Sequence, residues 1–291
     1  MPKITKPKMP TFATWLKSST QILKAVSASP HLDAQIILGF VTHQPYEKLL
    51  IRDQTSLKFS QLLRATYYLH LRTRLVPIAY ITHRKKFHGH TFYVNKHVLI
   101  PRPETENLVA LASKHAKTLP KNPNILDVGC GSGCIGLSLY YSTLNAKSQE
   151  QNIKSPSLLL SDISEKALKV AHKNAKKLKI KADFRKSNLL NRINIENIDI
   201  ITANLPYVNK NWNWNSKSLK HEPPLALFAR KNGLEIIEKL LTQISQKPRK
   251  THLAIFLEAD PSQMPAIKSF THNLFPSAKI TIDNFVAQII L

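Results

Sequence analysis

The sequence is poor in acidic residues. Its 291 residues include 18 Asp and Glu against 42 Lys and Arg, which gives a formal net charge of +24. Such an excess attracts polyanions such as ribosomal RNA, tRNA and DNA. The basic residues are spread along the chain, however, so a drift in amino-acid composition explains the charge equally well. The charge alone therefore identifies no substrate.

Cysteine and long apolar runs are also scarce. The two cysteines, Cys130 and Cys134, are too few for a disulfide framework or a four-ligand zinc site, and they indicate a reducing cytoplasm. The histidines lack acidic or cysteine neighbours at ligand spacing, so we expect no metal site. No stretch reaches the roughly 20 apolar residues of a membrane span. We expect no secretory signal, although the Lys-rich start leaves a targeting role open.

The first part of the chain has a helical pattern. Apolar residues recur at helical spacing from Thr11 to about Arg74, and Pro30 and Pro45 separate the runs. The pattern predicts a small bundle of four or five short helices. A chain of this length accommodates such a module beside a larger domain.

Extended segments follow at Phe87–Val94 and His97–Ile100, with Gly89 and Asn95 at the expected bends. They predict a β-hairpin. We therefore divide the chain into a helical domain over 1–76, a β-hairpin linker over 77–103 and a larger domain over 104–291.

Apolar runs alternate with helical stretches after Asn124, which predicts a doubly wound α/β sheet. Two further strands are expected to close the edge of that sheet, at Lys279–Thr281 and Val286–Leu291. The buried parallel strands are predicted at Ile125–Val128, Leu158–Leu160, Ile198–Thr202 and Leu253–Leu257.

A glycine-rich turn follows the first of these strands. The string Asp127–Gly133 reads DVGCGSG and leads into a helix. Glycines let the backbone turn tightly and approach a ligand at the edge of the sheet where open α/β folds bind nucleotides. The third glycine comes one residue too early for a dinucleotide cradle. The acid Asp127 suits a cofactor that carries an ammonium and a sulfonium.

A carboxylate ends the next predicted strand. Asp162 is placed to accept hydrogen bonds from both ribose hydroxyls of an adenosine group. The alternative is a helix N-cap, since Asp162 or Ser164 could begin the following helix. Both roles are compatible, with Ser164 as the cap and Asp162 as the ligand.

The most informative turn is Asn204–Tyr207, NLPY, which follows the strand Ile198–Thr202. An amide nitrogen is a poor nucleophile, so an enzyme that alkylates it must hold and polarise it. Asn204 can accept one amide N–H, and the carbonyl of Leu205 or Pro206 can accept the other. The ring of Tyr207 can pack on the planar amide. Asn and Pro are also ordinary loop residues, which is the structural alternative.

These strings together resemble the HemK/PrmC family, the peptide chain release factor N(5)-glutamine methyltransferases. Leu32–Leu38 is similar to the family's LDAELLL stretch, and Leu99–Glu106 contains its IPRPETE signature. Glu222-Pro223, Gly233-Leu234 and Leu257-Glu258 follow in the family's order. The resemblance covers nearly the whole chain. It implies a Rossmann-like class I S-adenosylmethionine-dependent methyltransferase domain, a small N-terminal helical bundle and a hairpin linker.

The resemblance also implies roles for single residues. The substrate would be the glutamine of the GGQ motif of a release factor, bound by Asn204, Leu205, Pro206 and Tyr207, with Asn204, Pro206 and Tyr207 as the catalytic set. The S-adenosylmethionine site would comprise Asp127, Gly129, Cys130, Gly131, Ser132, Gly133, Asp162, Asn188, Leu189 and Asn204. No metal is implied.

Some positions depart from the family's pattern. Asn188 and Leu189 stand where the family usually has Asp and Trp beside the adenine, and Leu205 replaces the first proline of NPPY. Phe228 begins a string that replaces Asp-Gly-Gly. In the signature itself, Arg102 and Glu104 either shape the substrate pocket or form an ion pair.

Three other readings are compatible with the residues. The target could be a glutamine of a ribosomal protein, or the exocyclic amino group of adenine in nucleic acid, which is chemically similar. The departures at Asn188, Leu189 and Phe228 also fit a ribosome- or RNA-binding protein whose active site has decayed.

Overall fold

The computed structural model describes residues 9–147, 156–209, 212 and 217–291. The chain forms two compact units. The smaller comprises Met1–His83 with Ser216–His221, and the larger comprises Arg84–Asn215 with Glu222–Leu291. Within the described residues, no helix is long and apolar enough to cross a membrane.

The smaller unit is a bundle of short helices, as the spacing of its apolar residues predicts. Thr11 caps the first helix by accepting from Thr14 N, and Pro30 begins the second, where its missing N–H costs nothing. An ion pair of 2.7 Å between Arg72 and Asp33 joins the second and fourth helices. The helices are α1 (Phe12–Leu23), α2 (Pro30–Thr42), α3 (Tyr46–Ile51), α4 (Phe59–Thr73) and α5 (Ile78–Thr82).

A β-hairpin opens the larger unit, with β1 at Arg84–Phe87 and β2 at His90–Tyr93. The two residues between them, His88 and Gly89, have φ values of 46° and 77°, the left-handed conformation that a tight hairpin turn requires. The bend predicted at Gly89 is therefore confirmed.

The prediction of a strand at His97–Ile100 is wrong. Asn95 turns the chain there instead, because its side chain accepts from His97 N at 3.0 Å and its carbonyl accepts from Val98 N at 3.1 Å.

The predicted doubly wound sheet is present, with strand order β5-β4-β3-β6-β7-β9-β8. The first five of these strands run parallel, and the last two are antiparallel and complete one edge. The sequence pattern missed β5, because it is a short and mostly exposed edge strand. The strands are β3 (Asn124–Val128), β4 (Ser157–Asp162), β5 (Asp183–Lys186), β6 (Ile200–Asn204), β7 (Ala254–Glu258), β8 (Lys279–Asp283) and β9 (Val286–Ile290).

Helices cover both faces of the sheet and bury two apolar clusters. One cluster includes Leu108 and Leu137, and the other includes Leu240 and Ile267 on the opposite face. Strand order reverses between β3 and β6, and ligands of open α/β sheets bind at such a point, beyond the carboxyl ends of the strands. The helices are α6 (Thr105–Thr118), α7 (Cys134–Lys147), α8 (Glu165–Leu178), α9 (Glu235–Ser245) and α10 (Met264–Leu274).

Candidate functional site

The glycine-rich loop after β3 depends on backbone conformation. Gly129, Gly131 and Gly133 have φ values of 70°, 53° and 77°, which other residues adopt only with strain. A Cβ at Gly133 would lie 3.0 Å from the Leu137 side chain, whereas a Cβ at Gly131 would meet nothing within 4 Å. Gly133 therefore allows close packing, and Gly131 borders open space.

Asp127 is a residue of β3 that supports this loop. Its carboxylate is fully buried and accepts from Thr202 Oγ1 at 2.9 Å and from Gly136 N at 3.0 Å. Burial raises the pKa of Asp127 to about 7, and these two hydrogen bonds counteract part of the rise. The carboxylate thus links β3 to β6 and to the start of α7, while its contact with a cofactor stays a prediction.

Asp162 lies at the end of β4, beside the loop. Its Oδ2 accepts from Gly131 N at 2.9 Å, and its Oδ1 accepts from Ser164 N at 2.8 Å. Ser164 caps α8 by accepting from Ala167 N at 3.2 Å. The cap and the ligand candidate are therefore separate residues, as the sequence suggested. Burial raises the pKa of Asp162, and the backbone N–H groups oppose that rise.

An open cavity of about 450 Å³ is lined in part by Ile163, the residue after Asp162. Asn188 is exposed and lines it, whereas Leu189 is buried in the apolar core, with a φ of 51°. At these two positions, only the amide therefore faces the cavity. Its lining comprises Ile163, Lys186, Ser187, Asn188, Asn191 and Arg192.

Asn174 connects the loop to the hairpin. This buried side chain donates to Ser132 O and to Tyr93 O, both at 2.9 Å, and accepts from Tyr93 N at 2.7 Å. Ser132 and Cys130 are themselves buried, and burial raises the pKa of the Cys130 thiol well above its usual value. The loop is thus tied from α8 as well as from β4.

The turn Asn204–Tyr207 stands at the carboxyl end of β6, one strand from the loop. Asn204 is paired in register with Glu258 of β7. The Asn204 Nδ2 donates to Glu258 Oε1 at 2.8 Å and to Thr105 Oγ1 at 3.1 Å. The Tyr207 hydroxyl is 3.4 Å from the same carboxylate oxygen. A side-chain amide, a carboxylate and a phenol therefore converge here.

Distant residues also hold the backbone of the turn. Gln263 Nε2 donates to Tyr207 O at 2.9 Å and to Asn232 O at 2.6 Å. Gly233 packs so closely that a Cβ there would overlap Tyr207 O. Val208 exchanges backbone hydrogen bonds with Leu227 and Ala229, the two neighbours of Phe228. The segment that departs from the family's pattern at Phe228 therefore still pairs with the turn.

The signature segment is fastened by an ion pair. Arg102 Nη2 lies 2.6 Å from Glu222 Oε1, and the other Glu222 oxygen accepts from Ile100 N at 3.0 Å. Arg102 thus pairs with a distant acid, while Glu104 is exposed. The geometry favours the ion-pair alternative for Arg102.

The sequence pattern assigned no role to four residues that organise the site. They are Thr105, Asn174, Glu258 and Gln263. Thr105 and Glu258 lie within the strings that resemble the family, so the sequence did offer a signal for these two residues. Asn174 and Gln263 had none, since each acts through a contact with a residue more than 40 positions away in sequence.

Two family models match the chain. The PrmC N-terminal domain matches residues 14–82, and the methyltransferase small domain matches residues 109–218. A release factor glutamine methyltransferase of Borreliella burgdorferi is 40% identical over 67% of this chain and 64% of its own length. The corresponding protein of Buchnera aphidicola is 32% identical and covers 88% of each chain.

Longer relatives and solved structures are also similar. A bifunctional methyltransferase of Rickettsia typhi is 32% identical over 80% of this chain, which spans only 47% of that protein. A 16S rRNA methyltransferase of T. thermophilus, solved with AdoMet and guanosine, has a TM-score of 0.50 at 13% identity, over 71% of this chain and 48% of that chain. At this identity, the likeness shows the fold alone.

Proposed function

Because the chain belongs to the family of release factor glutamine methyltransferases, we propose that it methylates the side-chain amide nitrogen of the glutamine in the GGQ motif of a peptide chain release factor, with S-adenosylmethionine as the methyl donor. The observation that carries this proposal is the position of the Asn204–Tyr207 turn, one strand from the glycine-rich loop. In this proposal the cofactor site and the turn that binds the substrate amide are adjacent.

The residues around the loop suit S-adenosylmethionine. A carboxylate has about four acceptor positions, and backbone N–H groups occupy only some of those on Asp162, so acceptor capacity remains for the ribose hydroxyls. The open space at Gly131 gives room for close approach of a ligand. When bound, the cofactor supplies a methyl group on a positively charged sulfur. We propose Asp127, Gly129, Cys130, Gly131, Ser132, Gly133, Asp162, Asn188 and Asn204 as its site, whereas the side chain of Leu189 lies in the apolar core beneath it.

The turn would hold the substrate amide. In this proposal Asn204 Oδ1 accepts one N–H of the glutamine, the carbonyl of Leu205 or Pro206 accepts the other, and the ring of Tyr207 packs on the amide plane. Holding both hydrogens fixes the direction of the nitrogen lone pair, so that positioning rather than a strong base drives alkylation. The nitrogen sheds one proton as it gains the methyl group.

The domain boundaries proposed above give the helical module a role. We propose that residues 1–76 recognise the folded release factor, that 77–103 form the linker and that 104–291 carry the chemistry. The family model matched at residues 14–82 supports a separate N-terminal domain. We also propose a cytoplasmic location, because the two cysteines are free thiols.

We further propose an affinity for RNA, on or off the ribosome. The segment Glu165–Lys186 carries nine Lys and Arg against two acids, and its lysines are exposed. Such a surface suits a phosphate backbone. Binding of labelled RNA that weakens steeply with salt would support this affinity, whereas binding that salt does not affect would contradict it.

Methyl transfer from labelled S-adenosylmethionine tests the proposed function. The acceptors are purified release factor, a variant with the GGQ glutamine replaced, ribosomes and DNA. We expect label only on the intact release factor. Label confined to ribosomes or DNA would instead identify a ribosomal protein or adenine as the target. No label on any acceptor, together with no binding of S-adenosylmethionine, would indicate a decayed active site.

A further inference from the structure

The orientation of the Asn204 amide decides whether it can hold a substrate. Its nitrogen donates one hydrogen to Glu258 Oε1 and the other to Thr105 Oγ1. No hydrogen bond among the described residues reaches the Asn204 oxygen. That oxygen therefore remains available to accept an N–H from a substrate amide.

We propose that Glu258 is a positioning residue for methyl transfer, which holds the Asn204 amide by its nitrogen and so keeps the amide oxygen available for the substrate glutamine. This inference rests on the proposed function. The two residues are paired at the carboxyl ends of β6 and β7, so the contact is built into the sheet register. Glu258 is 1% exposed, and its Oε2 has no hydrogen-bond partner in the described part of the chain.

A buried acceptor without a partner destabilises the fold, so its presence calls for a function. The charge of Glu258 supplies one. The two ends of an amide have nearly the same shape, and an ionised carboxylate only accepts hydrogen bonds, so it selects the nitrogen end. A protonated carboxyl also donates, and it would tolerate the flipped amide. Ionisation of Glu258 therefore determines which atom of Asn204 the substrate meets.

This dependence predicts a pH effect near neutrality. Burial raises the pKa of Glu258 to about 7, against hydrogen bonds from Thr105, Tyr207 and Asn204 that lower it. Above this pKa the carboxylate is ionised and the amide is held correctly, so kcat rises as pH increases through about 7. Within the described residues, the ionisable groups that interact with the Glu258 carboxyl include Glu104, Tyr207 and Cys134. Arg102 and Asp260 interact in turn with the Tyr207 phenol.

The test compares Glu258→Gln with the wild-type enzyme, because glutamine keeps the volume and removes the charge. We expect kcat to fall about ten- to a hundredfold, the usual worth of a charge-assisted hydrogen bond. The rise of kcat around pH 7 should disappear, and the affinity for S-adenosylmethionine, measured by calorimetry, should be unchanged. In the Asn204→Ala background, Glu258→Gln should have no further effect, since it acts through Asn204.

Two further variants distinguish a specific effect of Glu258 from a general loss of folding. Asp199→Asn changes a buried acid at the other end of β6, where it accepts from Asn124 N at 2.8 Å, and should leave kcat and its pH profile unchanged. Thr105→Val removes the second acceptor of the amide and a hydrogen bond that lowers the pKa of Glu258. It should lower kcat less than Glu258→Gln does, and it should move the rise of kcat to higher pH.

The outcomes separate the two proposals. If the wild-type enzyme methylates the release factor glutamine but Glu258→Gln keeps its kcat or its pH profile, the positioning role is wrong and the proposed function stands. Additive losses of kcat in the double variant would also overturn the positioning role. A wild-type enzyme that leaves the glutamine unmodified would overturn both.

Discussion

The glycine-rich loop and the NLPY turn lie at the ends of neighbouring strands, yet they are held in different ways. The loop combines backbone contacts with two side chains that bind its backbone. Cys130 N donates to Ser161 O at 2.9 Å and Gly133 N donates to Cys130 O at 2.7 Å, while Asp162 accepts from Gly131 N and Asn174 donates to Ser132 O. Side chains from distant parts of the chain hold the turn, chiefly those of Glu258 and Gln263.

This difference suggests a division of labour. Three glycines that tolerate positive φ let the loop approach a ligand with backbone alone. In the proposed function, the turn binds the substrate through the orientation of a single side chain, the Asn204 amide. Its neighbours Glu258 and Thr105 fix that orientation. Leu205 joins the two regions, since its Cδ2 would lie 2.8 Å from a Cβ at Gly129. Substitutions should therefore separate cofactor binding from turnover.

The largest effect is expected on the side of the turn. Asn204→Ala removes the acceptor for the substrate amide and should lower kcat about 100- to 1,000-fold, as the loss of other preorganised polar contacts in active sites does. The affinity for S-adenosylmethionine should fall much less than kcat, because Asn204 is only one of the residues proposed for the cofactor site. Single-turnover kinetics and calorimetry on the same preparation measure the two quantities. An equal loss of both would abolish the distinction between loop and turn.

A smaller effect, on cofactor affinity rather than on kcat, is expected at Asp162 beside the loop. Asp162→Ala removes the proposed ribose acceptor and the partner of Gly131 N, so the affinity for S-adenosylmethionine should fall about ten- to a hundredfold. At saturating cofactor, kcat should largely recover. Asp183→Ala, which removes an exposed acid from β5, serves as the matched control. A loss of kcat that saturation does not restore would contradict the prediction.

The smallest effects sharpen the comparison within the loop. Gly131→Ala and Gly133→Ala both place a side chain at positive φ, which costs about 1–2 kcal/mol of stability. Gly133→Ala also crowds Leu137 and the Ala171 methyl, so it should lose about 1–3 kcal/mol more in urea unfolding. Gly131→Ala should instead weaken cofactor binding. If both variants were equally unstable, Gly131 would not border a ligand site.

The sequence predicted much of the fold because the spacing of apolar residues indicates helices and strands without any information on tertiary contacts. The parallel strands, the helical bundle and the bend at Gly89 follow from local pattern. β5 escaped prediction because half-exposed edge residues have no apolar run, and His97–Ile100 was misread because the side chain of Asn95 competes with strand pairing.

The site was predictable to the extent that its residues are adjacent in sequence. The strings Asp127–Gly133 and Asn204–Tyr207 each lie in one segment, so spacing alone suggested them. Glu258 and Gln263 reach the turn only through the pairing of β6 with β7 and the helical turn that follows. No local pattern encodes a contact between residues more than 50 positions apart.

The most direct test of the account is mass spectrometry of the release factor after incubation with the enzyme and S-adenosylmethionine. We predict one added methyl group on the GGQ glutamine with the wild-type enzyme and almost none with Asn204→Ala, although that variant still binds the cofactor. A methyl group on any other residue, or equal modification by both enzymes, would contradict the assignment of the NLPY turn to the substrate amide.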